Sequence, residues 1–69
     1  MQSRVAIMAI IVENTQAATP INVLLHEYGQ YIIGRMGLPY ARRNISLISV
    51  AIDAPQDVIS ALTGKIGNI

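Results

Sequence analysis

Residues 4–13 read RVAIMAIIVE, apolar at the odd positions (Val5, Ile7, Ala9, Ile11) and at the even ones (Ala6, Met8, Ile10, Val12) alike. A strand points successive side chains to opposite faces, so a run that is apolar on both parities requires cover on both faces. This predicts a central strand. Residues 45–52 repeat the pattern, with Ser46, Ile48, Val50 and Ile52 on one face and Ile45, Leu47, Ser49 and Ala51 on the other. A third, shorter strand is expected over residues 31–36, where Gly34 has no side chain to pack and so marks a bulge or a close backbone approach.

Two helical patterns separate and follow these strands. Asn14 and Thr15 supply turn and N-cap chemistry. Ala18, Ile21, Leu25 and Tyr28, with Leu24 beside them, then recur at helical spacing. Pro20 is tolerated in a first turn, which puts the helix start between positions 15 and 20, and Gly29 is expected to end it as a C′ glycine. Gly37, Pro39 and Asn44 mark a loop between the second and third strands. Asp53-Ala54-Pro55-Gln56 reads as a capping box with Asp53 as N-cap, followed by a buried stripe of Val58, Ile59, Leu62 and Ile66 that frays from Gly64 or ends at Gly67.

The order strand, helix, strand, strand, helix is the α+β, ferredoxin-like split βαβ arrangement without its final strand. That strand is either absent from the chain, the favoured expectation, or replaced by an open sheet edge that a partner can use. Both helices would cover the same face of an antiparallel sheet, leaving an apolar second face. That face is the strongest physical reason to expect a homo-oligomer, a dimer or tetramer.

Composition points the same way. At 69 residues a single core seldom contributes more than about 3–5 kcal/mol without disulfides, metal or oligomerisation. The chain has no cysteine, which removes the first and goes with a reducing, cytoplasmic compartment. Hydrophobic residues make up 52% and charged ones 13%, too little charge to coat a small monomer. Five basic against four acidic residues, net +1, argues against direct nucleic-acid binding. Arg4, the apolar run and Gln16-Ala17-Ala18 loosely imitate a signal peptide, but the run is short and rich in Val and Ile, as a buried strand is, and too short to span a bilayer.

No catalytic constellation is present, and no cofactor is expected. His26 is the single histidine and shares a helix face with Asn22, away from the apolar stripe, which suits a solvated side chain better than a metal ligand. Gly64-Lys65 lacks the rest of a phosphate loop: Ile59 stands where Gly is needed and Ile66 where Ser or Thr is needed. The serines have no arranged histidine partner. The concentrated polar cluster is Arg35, Arg42 and Arg43 with Tyr40. Guanidinium forks suit carboxylates and phosphates, and Gly34 and Gly37 would let backbone N–H groups approach such a ligand. A solvated turn is the plain alternative.

The segments IIVEN at 10–14, LHEYGQYIIGRMGLPYARRNISLISVAIDAP at 25–55 and DVISALTGKIGNI at 57–69 resemble the small proteins named as regulators of the iron-only hydrogenase system. These form an ACT-like group related in fold to the ligand-binding domain of nickel-responsive repressors. The resemblance implies a ferredoxin-like, oligomeric domain that senses a small ligand; with the arginine cluster and the missing catalytic groups, the expectation is a noncatalytic regulatory domain for a small anionic ligand. Family members continue past the last helix with a PGV-type turn and a fourth strand, whereas this sequence stops at Ile69. It implies no nickel site, because the repressors use several histidines and a cysteine where this chain offers His26, and it brings no ribbon-helix-helix segment for DNA. The alternative it leaves open is an adaptor that binds a hydrogenase-maturation partner by strand addition.

Overall fold

The computed structural model describes residues 2–69. Strand β1 (Ser3–Val12) leads through a 3-10 turn (Thr15–Ala17) into helix α1 (Ala18–Glu27). A second turn (Gly29–Tyr31) precedes β2 (Ile32–Tyr40), and a third (Ala41–Arg43) precedes β3 (Ile45–Pro55) and helix α2 (Gln56–Gly67). The antiparallel sheet has the order β1-β3-β2. This is the expected β-α-β-β-α succession, with both helices on one face.

The core lies on the even-numbered face of β1 and β3. The register sets Met8 opposite Val50 and Ile10 opposite Ile48, and Ile10, Val12, Val50, Ile52 and Ala54 pack with Ile21, Leu24 and Leu25 of α1 and Leu62 of α2. Val50, Ile52 and Leu62 are 0% exposed. The opposite face is bare: Val5 and Ile7 are each 70% exposed, Ile11 63% and, on β2, Met36 64%.

β1 is not central. Among the described residues it pairs only with β3, which holds the middle of the sheet. Apolarity on both parities reports that a strand's faces need cover, and it carries no information about how many of its edges are paired.

Three local expectations also change. Asn14 does supply turn chemistry, its Oδ1 accepting from the Gln16 N–H at 2.9 Å, yet it serves the 3-10 turn, and α1 starts at Ala18 without a side-chain cap. Gly29 follows the C-cap Tyr28 but keeps a negative φ. The chain enters another 3-10 turn there, closed by the Tyr31 N–H on the Tyr28 carbonyl at 3.0 Å. Asp53, expected as the cap of α2, is a strand residue opposite Val5, and Pro55 takes the cap position without a side-chain bond. The β1–β3 ladder runs to Ser3 opposite Pro55, so interstrand pairing overrides the capping preference. Gln56 is used differently: its Oε1 accepts from Arg4 at 2.6 Å and its Nε2 donates to Ser60 at 3.1 Å, tying the start of α2 to β1. At the other end of α2 the Lys65 ammonium stands 5.2 Å from the Tyr28 ring centroid, a cation–π contact between the two helices.

β2 is longer than expected and absorbs Gly37 and Pro39. Proline is tolerated because β2 is an edge strand, where a missing N–H can face away from the ladder. The turn to β3 closes on Asn44 at φ 55, the one left-handed non-glycine among the described residues. Asparagine accepts this region more readily than other side-chain-bearing residues.

Leu62→Ala is expected to lower stability by about 2–5 kcal/mol through transfer and cavity terms. Asn44→Val should cost roughly 1–2 kcal/mol through left-handed strain, while Asn44→Gly stays close to the parent. Urea denaturation of the three variants checks both statements.

Candidate ligand recess and assembly face

β2 organises the surface because its register slips once. Ile32 lies opposite Ile52, whereas Gly34 lies opposite Ala51, so Ile33 is the extra residue of a β-bulge. The irregularity expected at Gly34 is thus present, one residue earlier. Its consequence is a change of parity. After the bulge Arg35 pairs with Val50, Gly37 with Ile48 and Pro39 with Ser46. These three residues therefore lie on the helix side of the sheet. Gly34, Met36, Leu38 and Tyr40 lie on the open side. Without the bulge Arg35 would project from the open face.

The six residues singled out in the sequence are divided accordingly. Arg35 and Gly37 share the helix side, Gly34 and Tyr40 the open side, and Arg42 and Arg43 sit in the turn beyond the end of β2. Arg35 and Tyr40 are about 17 Å apart along the strand at the usual rise. Arg43 lines a separate shallow recess with Ile11, Glu13, Asn44 and Ile45. All six side chains or backbones are exposed.

Two recesses flank Arg35. One of about 260 Å³ lies between α1 and β2 and is walled by Val12, Ala18, Asn22, Arg35, Gly37, Leu38, Pro39, Ser46 and Ile48. The other, about 230 Å³, is bounded by Leu25, His26, Gly29, Ile32, Gly34 and Arg35. The first exists because small residues meet there: Ala18 faces a strand whose Gly37 has open space where a Cβ would stand, with nothing within 4 Å. Asn22 and Ser46 are the polar residues that sequence reasoning did not assign to a site. Asn22 had one visible signal, its place off the apolar stripe of α1. Ser46 had none, since a serine on the covered face of a strand reads as a gap in a hydrophobic run.

On the opposite side of the sheet, cross-strand rows form a continuous apolar surface: Ile11, Leu47 and Leu38 in one row, and Ala9, Ser49 and Met36 in the next. A third feature is a groove of about 490 Å³ along the free edge of β1, between that strand and the helices, where Met8, Ile10, Val12, Ile21 and Ile66 contribute apolar walls. Among the described residues no group of three or more His, Cys, Asp or Glu side chains is placed to hold a metal ion, and no helix is long and apolar enough to cross a membrane.

Comparison with known proteins agrees with this architecture. A solved structure of an uncharacterized protein, TM1266 from Thermotoga maritima, superposes with a TM-score of 0.93 at 33% identity, covering 99% of this chain and 86% of that one. No curated protein matches the chain. The model of the TM1266-like family, described as "Iron-only hydrogenase system regulator, putative", matches residues 4–69. With this match running from β1 to the end of α2, the chain belongs to the TM1266-like family.

Proposed function

We propose that this chain is a noncatalytic regulatory domain of the iron-only hydrogenase system that self-associates through the open face of its sheet and senses a small ligand. The regulatory part follows the description of the family. The observation that carries the assembly is the bare open face, where Val5, Ile7, Ile11, Met36 and Leu38 are all more than half exposed. Apolar area removed from water contributes about 25 cal/mol per Å², and a contiguous patch of this kind on a small domain marks an interaction surface. A two-fold pairing of identical faces satisfies both copies at once. A cytoplasmic location accords with the absence of cysteine.

A second reading is favoured by the β1 edge. Among the described residues no strand pairs with its outer edge, and that edge with the adjoining apolar groove has the form used in strand addition; an adaptor for a hydrogenase-maturation partner would bind there.

Light scattering at micromolar concentration is expected to give a dimer or tetramer, and Ile7→Lys with Leu38→Lys a monomer of unchanged far-UV circular dichroism. A well-folded monomer of the parent chain sinks the assembly reading. Partner binding that persists in the double variant would select the edge over the face.

A further inference from the structure

We propose that the recess between α1 and β2 binds a small organic carboxylate, with the Arg35 guanidinium as its main anchor and Asn22 and Ser46 as additional hydrogen-bonding groups. This rests on the ligand-sensing reading and gives it a place and a chemical class.

The first support is the uncompensated charge. The bulge puts Arg35 on the helix side of the sheet, and none of the chain's four acidic residues lines either recess beside it. Asp53 belongs to the open face, opposite Val5. Arg35 also takes part in none of the side-chain hydrogen bonds among the described residues. Its five donors are therefore available to an acceptor from outside.

Space and wall chemistry narrow the ligand. A recess of about 260 Å³ suits a carboxylate on a short carbon body. Val12, Ala18 and Ile48 give that body apolar contact, while Asn22 and Ser46 bring an amide and a hydroxyl to the same recess. A planar fork matches a carboxylate with two parallel hydrogen bonds. One guanidinium balances one negative charge, so a near-dianionic phosphate would keep a charge without a partner. The arginines of the Ala41–Arg43 turn lie outside this recess.

The test is a ¹⁵N–¹H titration of the full chain with isobutyrate and, separately, with inorganic phosphate. Isobutyrate is expected to give saturable shifts of the Asn22, Gly37 and Ser46 amides. Arg35→Gln should weaken binding about tenfold or more, the loss of a charge-assisted hydrogen-bond pair. Gly37→Leu should abolish it by filling a space that holds no competing atom within 4 Å of the new Cβ. Arg42→Ala with Arg43→Ala should bind as the parent does.

Non-saturable isobutyrate shifts, or shifts undiminished in both Arg35→Gln and Gly37→Leu, overturn the proposal. So does binding of phosphate without isobutyrate, or binding lost in the Arg42/Arg43 double variant, which would put the anion at the turn. Light scattering on the same samples reports the sheet assembly separately.

Discussion

The double pairing of β3 is the constraint on which the rest of the molecule depends. One strand supplies hydrogen-bonding edges to both β1 and β2 and also the most deeply buried face, where Val50, Ile52 and Ala54 meet both helices. Helices this short are marginal by themselves in water and take most of their stability from packing an apolar stripe. Here α1 and α2 lean on the same few residues of β3 and its neighbour β1. The ladder's reach to Pro55 also sets where α2 begins, which is why Asp53 gives up a favourable cap to remain in the strand.

The bulge at Ile33 is a small event with a large effect on surface chemistry. A strand has a period of two, so one extra residue exchanges everything after it between the two faces. It brings Arg35 and Gly37 over α1 and sends Met36, Leu38 and Tyr40 to the open face. The same shift thus brings an arginine to a recess on one side and completes an apolar surface on the other. The surface proposed for assembly and the recess proposed for a ligand thus both depend on one strand, β2.

Much of the fold was legible because hydrophobic periodicity reports burial directly. The apolar runs around Ile10 and Val50, the helical stripes around Leu25 and Leu62, and the irregularity at Gly34 all became the elements they suggest. The limits of β2 were less legible, since Gly37 and Pro39 carry loop chemistry that an edge strand tolerates. The candidate site was legible only as a list. Arg35, Arg42 and Arg43 are close in sequence, yet the extended backbone and the change of parity separate the first from the other two. Asn22 and Ser46, which share the Arg35 recess, lie 13 and 11 residues away from it in sequence.

By itself the sequence determined that this chain forms an α+β domain with more apolar sheet surface than two helices can cover, because side-chain polarity at fixed period dictates which faces must leave water. Only the tertiary structure decided that, among the described residues, β3 rather than β1 is the middle strand and β1 pairs with β3 alone, and that Arg35 lies on the helix side of the sheet. Strand order and register arise from pairing between distant segments, and a local pattern of polar and apolar residues leaves that pairing open.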